Sequence, residues 1–380
     1  MNLVAPFGFY GWGNVGDEST LQGFAQLVSH AYPGMRVWVA SRNPSHTARV
    51  EPAFKYFKAV GRDLRRRWAR YQATGYVVPG GTPIMDVLGS WPLDEVAPLV
   101  QAAHAQRKPL VFVGTGTERL QRKESQRIVS DILAPNVRHW TVRCARDKER
   151  LSTYGVDSER ITVAADLAWT LRTVPVDFGR ECLKQWGLDV ARPFVGVNVN
   201  NEQFVQAQEP HLSEKLGMLL DHLVETRGAR ILFFCNEVRE GESFDKAASV
   251  KVMACMKHRE QTFLVPNHYW TPQQMLSLIG CCHIVVGIRY HFCLFAALQS
   301  VPFIALKRSE KVADLCWDVD WPYGVFLKGL DVAELSNMFT NIEQEKPALC
   351  TYLQQRTSVM RDRALTNSIA LDALTQQGEQ

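Results

Sequence analysis

Long apolar runs, a marked charge excess and paired-cysteine motifs are all missing from this chain, and each absence removes a class of protein. No stretch of the 380 residues approaches the roughly 18 consecutive apolar residues that a membrane-spanning helix needs. Met1-Asn2-Leu3-Val4 places no basic residue ahead of an apolar run, so no signal peptide is expected and a cytoplasmic location is. Lysine and arginine number 43 against 39 acidic residues, a formal net charge of +4. That excess is too small for a dedicated nucleic-acid binder. It suits small anionic ligands, or weak attraction to an acidic membrane face. The nine cysteines are odd in number and form no C-x-x-C spacing, so reduced, largely buried thiols are expected in place of a disulfide framework or a zinc site.

What is present is ordinary globular composition, 46% hydrophobic and 22% charged, in a chain long enough for two cores. Short apolar runs alternate with amphipathic stretches, the pattern of parallel sheets covered by helices. Strands are expected near Leu3–Tyr10, Arg36–Ala40, Gly75–Val78, Leu110–Gly114, His139–Cys144 and Ile161–Ala164. A second set follows near Phe194–Val199, Ala229–Cys235, Thr262–Val265, His283–Gly287 and Pro302–Leu306. Pro175, Gly179 and Gly187 interrupt the pattern between Leu171 and Pro193. The expected division is therefore 1–174, 175–345 and a C-terminal helix in 346–380 that packs back on the first domain. In such folds ligands sit in the crevice at the carboxyl ends of the strands.

Several loops at those strand ends carry chemistry. Gly11 to Glu18 (G-W-G-N-V-G-D-E) satisfies G-x-G-x-x-G between a strand and a helix. A dinucleotide site is disfavoured, because Asp17 and Glu18 put negative charge where a pyrophosphate would need bare N–H groups. Asn14, Asp17 and Glu18 suit a neutral, hydroxyl-rich ligand, or simply cap the helix. Pro79 to Asp86 (P-G-G-T-P-I-M-D) and Gly114 to Glu118 (G-T-G-T-E) are further glycine loops after strands, and Gly80 and Gly81 allow close backbone approach. Arg146 and Asp147 begin a helix after a strand, where a guanidinium can anchor a carboxylate or phosphate.

The most informative segment is His283 to Leu298 (H-I-V-V-G-I-R-Y-H-F-C-L-F-A-A-L). A buried strand delivers Arg289 and His291 to its carboxyl edge just as an apolar helix begins. Such polar groups between two core elements need partners, because unpaired burial is costly. Lys307 to Lys311 (K-R-S-E-K) adds cations after the next strand. Five arginines and Trp68 crowd into Arg62–Arg70, an exposed basic helix face or a surface for anionic lipid or a lipid-linked diphosphate.

Taken in order, these segments resemble the polysaccharide pyruvyl transferase family. The loop ending in G-D-E, the G-G loop with Asp86, the Arg-Asp after a strand, the Ala165-Asp166 pair and G-I-R-Y-H-F-C-L-F-A-A-L-Q-S-V-P all follow its order, over roughly residues 5 to 312. The resemblance implies two Rossmann-like domains with parallel sheets facing a cleft, similar to two-domain glycosyltransferases. It also implies transfer of a pyruvyl group from phosphoenolpyruvate to two saccharide hydroxyls as a cyclic ketal. Carried over by position, His291 is the general acid, and Arg289, Arg146 and Lys311 hold the donor. The acceptor, free or lipid-linked, falls to Asn14, Asp17, Glu18, Gly80, Gly81, Asp86, Asn198 and Asn200. No cofactor or metal is implied. Two other readings remain: a nucleotide-sugar glycosyltransferase of the same architecture, and a catalytically silent scaffold member.

Overall fold

The computed structural model describes residues 1–87, 89–238 and 244–375. It divides the chain into two compact units. The first comprises Met1–Trp12, Asp17–Leu171 and the segment from Met360 onward; the second comprises Gly13–Gly16 and Arg172–Val359.

The first unit holds β1 (Asn2–Ala5), β2 (Arg36–Ser41), β3 (Lys55–Lys58), β4 (Gly75–Pro79), β5 (Leu110–Thr115), β6 (His139–Val142) and β7 (Ile161–Val163). They form one sheet in the order β3-β2-β1-β4-β5-β6-β7, and every pairing is parallel. Strand β5 shows why both faces must be covered. Leu110 and Phe112 join Val78, Val96, Leu133 and Trp140 on one face, while Val111 and Val113 join Leu21, Phe24 and Val77 on the other. This period-two split of an unbroken apolar run is what a parallel sheet with two helical layers demands. The helix Val15–Ala31 and the final helix Ser368–Thr375 cover the second face, the latter through Ala370, Leu371 and Leu374. Asn367, fully buried, fixes that helix by donating to the Ala165 carbonyl (2.9 Å) and accepting from Thr141 Oγ1 (2.5 Å).

The second unit holds β8 (Phe194–Asn198), β9 (Arg230–Phe233), β10 (Thr262–Leu264), β11 (Ile284–Gly287), β12 (Phe303–Lys307) and β13 (Gly324–Phe326). Their order is β10-β9-β8-β11-β12-β13, again parallel throughout. The helix Tyr290–Leu298 is buried at every position but His291, which explains its all-round apolarity.

Three strands differ from expectation for local reasons. The first strand stops at Ala5 instead of running to Tyr10, since Pro6 has no N–H for the ladder. Strands β3 and β13 were not anticipated. Both are short and lie at sheet edges, where a single ladder suffices. Among the described residues, no helix is long and apolar enough to cross a membrane.

Candidate active site at the switch point of the second sheet

Strand order reverses between β8 and β11, so the loops after these two strands part and leave the crevice where open α/β sheets bind ligands. Asn198 ends β8 and pairs in register with Gly287, the last residue of β11. Two residues beyond Gly287 the chain reaches Arg289, which caps the helix Tyr290–Leu298 in extended conformation.

Arg289 is buried and held by two carboxylates. Its Nε donates to Asp245 Oδ1 (3.0 Å) and its Nη2 to both Asp245 Oδ1 and Glu237 Oε2, each at 2.7 Å. Burial alone would lower the affinity of this guanidinium for its proton, but Asp245 and Glu237 overcome that and hold its pKa above the usual arginine value. Nη1 makes no hydrogen bond among the described residues.

Asp245, with no solvent exposure, is the hub. Besides Arg289 it accepts from Asn200 Nδ2 (2.9 Å), Asn198 Nδ2 (3.3 Å) and the backbone N–H of Asn236 (2.9 Å). Asn198 and Asn200, expected to meet the acceptor, thus direct their amide groups into the protein, because a buried carboxylate must collect N–H donors. Asn200 links this cluster to a second one. Its Oδ1 faces Arg308 Nη1 at 3.5 Å, and the same Nη1 donates to Glu202 Oε2 at 2.6 Å. Arg308 is buried beneath the Phe204 ring, 5.1 Å from its centroid. Burial first and the Arg289 charge second pull its pKa down, against Glu202. Its Nε has no hydrogen-bond partner among the described residues. The neighbouring Ser309 Oγ is likewise buried without one, at the N-cap of the helix Glu310–Asp318 that carries Lys311 in its first turn. A buried guanidinium with an unused edge beside a helix N-terminus is a pre-built place for an anion.

His291 stands on the first turn of its helix with Gly16 against its ring. A Cβ built on Gly16 would lie 2.2 Å from His291 Nδ1, so only glycine lets the two segments meet. The Gly13–Gly16 loop is fastened here by Val15 N to the Asn236 carbonyl (3.0 Å) and Val238 N to the Gly13 carbonyl (2.6 Å). Asn14 caps the loop internally, its Oδ1 accepting from Gly16 N at 2.9 Å. The structure therefore brings together Asn14, His291, Arg289, Asn198, Asn200 and Lys311 in the second unit.

Arg146, Asp17, Glu18, Gly80, Gly81 and Asp86 belong to the first unit. There, several of these residues hold loops. Glu18 is buried, and its Oε1 accepts from Gly11 N at 2.7 Å. Asp86 is buried too, accepting from Gln121 N (2.9 Å) and Arg122 N (2.8 Å) at a helix start. Both carboxylates answer backbone N–H groups that burial would otherwise leave unmet. Gly80 and Gly81 adopt left-handed backbone (φ 63° and 70°), and the loop bonds outward through Gly80 N to the Val113 carbonyl and Gly116 N to the Gly81 carbonyl. Arg146 is half-buried in the first turn of the helix Ala145–Thr153, while Asp147 turns inward to accept from Thr117 N (2.7 Å). Sequence reasoning missed Glu237, Asp245 and Glu202, and named Arg308 only as one of the cations in Lys307–Lys311. The signal available was the demand itself: a buried arginine requires carboxylates, and C-N-E (Cys235 to Glu237) follows strand β9 of the same sheet.

A model of the polysaccharide pyruvyl transferase family matches residues 14–310. The chain belongs to that family. It is therefore a transferase of polysaccharide biosynthesis with two parallel-sheet α/β domains. Amylovoran biosynthesis protein AmsJ of Erwinia amylovora is 19% identical over 308 residues, covering 77% of this chain and 72% of the relative. Anabaena HepE, solved with UDP and glucose, superposes with a TM-score of 0.66 at 10% identity, over 99% of this chain and 100% of its own. UDP-GlcNAc 2-epimerase of Neisseria meningitidis, solved with UDP-GlcNAc, gives 0.64 at 10% identity, over 99% and 100%. These likenesses establish the fold shared with two-domain glycosyltransferases and epimerases, and nothing further.

Proposed function

We propose that this family member transfers a pyruvyl group from phosphoenolpyruvate to two hydroxyls of a saccharide, forming a cyclic ketal and inorganic phosphate. The observation that carries the reading is the pairing, at one switch point, of an imidazole with two buried guanidinium groups that each keep a hydrogen-bonding edge unused among the described residues. Phosphoenolpyruvate presents a phosphate and a carboxylate on one small frame, and fixed cations bind such a donor without reorganising during reaction.

His291 gives a proton to C3 of the donor, creating a methyl group and positive charge at C2 stabilised by the enol oxygen. The first saccharide hydroxyl adds to C2, and its proton restores His291. The C2–O bond to phosphate then breaks, the second hydroxyl closes the ring, and its proton leaves with phosphate. Arg308, with Ser309 and Lys311 at the following helix start, meets the phosphate; Arg289 Nη1 meets the carboxylate. Asp245 and Glu237 position Arg289 without touching substrate. Protonating carbon requires an acid whose pKa lies near operating pH, which suits imidazole. Arg146 is proposed as a further donor cation. Asn14 and Asp17 are proposed as acceptor contacts.

The test is incubation with phosphoenolpyruvate and a panel of free and lipid-linked saccharides, following phosphate release and the mass of the acceptor. Equal amounts of phosphate and pyruvylated sugar, abolished by His291→Gln, are expected. Consumption of a UDP-sugar with no reaction of phosphoenolpyruvate on any acceptor would replace this reading with nucleotide-sugar transfer.

A further inference from the structure

The helix Leu64–Gln72 sits on the first unit through its Ala69 side, and Ala69 has no exposure. Its opposite face is apolar where solvent should make it polar. Leu64 is 80% exposed, Trp68 53% and Tyr71 80%, at the i, i+4, i+7 spacing of one helical stripe. The Trp68 and Tyr71 rings lie 6.2 Å apart and stacked, so the stripe is continuous, and Val60, 61% exposed, lies just before the helix. Single exposed apolar residues are ordinary; a helical row of them with two aromatics marks a surface meant to be covered.

Charge selects what covers it. Between Pro52 and Met85 the chain carries seven cations (Lys55, Lys58, Arg62, Arg65, Arg66, Arg67 and Arg70) and one acid, Asp63. Asp63 is committed to capping the helix, accepting from Arg65 N at 2.9 Å and from Lys58 N at 2.8 Å. Arg62, Arg65 and Arg67 are exposed beside the stripe, and the neighbouring edge strand β3 adds exposed Lys55 and Lys58. A second copy of the chain would set this cationic field against itself across a two-fold axis, which repels.

We infer that this helix docks the protein on an anionic lipid bilayer. It lies in the plane of the interface, with Leu64, Trp68 and Tyr71 inserted and the arginines on lipid phosphates. Aromatic side chains with polar edges favour that depth, and guanidinium groups match phosphate geometry. The inference stands on the first unit alone, apart from the donor chemistry proposed above.

The test is co-sedimentation of the full chain with vesicles of phosphatidylcholine, with and without phosphatidylglycerol, at low and physiological salt. Binding should require phosphatidylglycerol and weaken with salt. Leu64→Ser with Trp68→Ser should lower partitioning by about tenfold or more. Arg65→Gln and Arg67→Gln should each lower it about fivefold. All these side chains are exposed, so melting temperatures should stay at the native value. Absence of selectivity for the anionic lipid, or native-like partitioning of the Leu64/Trp68 variant, would overturn the inference. So would self-association of the native chain that the same variant abolishes, or displacement from vesicles by single-stranded RNA.

Discussion

Asp245→Asn replaces one oxygen by an amide of almost the same shape, and the geometry says this small change is severe. Oδ1 receives Asn200 Nδ2 at 2.9 Å, Arg289 Nε at 3.0 Å and Arg289 Nη2 at 2.7 Å. Oδ2 receives Asn236 N at 2.9 Å, Asn198 Nδ2 at 3.3 Å and Arg289 Nε at 3.2 Å. Every neighbour is a donor, so an amide turned either way sets N–H against N–H. It also removes a charge that balances buried Arg289. Breaking one side of a buried pair costs about 3–5 kcal/mol. In units of this size that is a fall in melting temperature of roughly 6–20 °C. Urea unfolding followed by circular dichroism reads it as an earlier second-unit transition. Combining Asp245→Asn with Arg289→Gln should cost less than the two separate losses, with a coupling of about 1–3 kcal/mol. A single variant within about 1 kcal/mol of native, or an additive pair, would refute the claim that this network organises the site.

Three further outcomes follow from individual contacts. Gly16→Ala puts a Cβ 2.2 Å from His291 Nδ1. Phosphate release should fall about 100-fold while phosphoenolpyruvate binding persists, because a displaced acid loses its line to the reacting carbon. Asp86→Ala removes the acceptor for Gln121 N and Arg122 N, so stability in urea should drop by about 1–2 kcal/mol. Native stability with loss of transfer would instead make Asp86 an acceptor ligand. Burial, with the Arg49 charge behind it, lowers the His46 pKa to about 4. The folded pKa lies below the unfolded one, so the folded state binds fewer protons. Stability is whole above about pH 6.5 and declines as pH falls toward 4, by about 1–2 kcal/mol; His46→Gln should reduce that slope in urea midpoints.

The sequence made much of this fold readable because parallel strands buried on both faces are nearly unbroken apolar runs, and glycine loops mark their ends. Arg289 and His291 were readable for a related reason: polar residues wedged between a core strand and a core helix contradict their surroundings. Their partners were not. Asp245 and Glu237 lie 44 and 52 residues earlier, in segments whose acids look solvated, and only the folded sheet brings them together. Arg308 was legible as one of the cations after a core strand, but its burial was not. The Asp245 contacts of Asn198 and Asn200 were equally hidden, since strand-end amides can serve a buried carboxylate as well as a ligand. Periodicity also cannot tell that Trp68 faces outward, because a tryptophan on a helix ordinarily marks the buried side.

The most direct test of the donor assignment is calorimetric titration with phosphoenolpyruvate and, separately, UDP. The account predicts that the native protein binds phosphoenolpyruvate and that His291→Ala retains binding. Arg308→Gln should bind at least about tenfold more weakly, a loss near 1.4 kcal/mol. Heat from UDP with none from phosphoenolpyruvate, with or without a saccharide present, would contradict it.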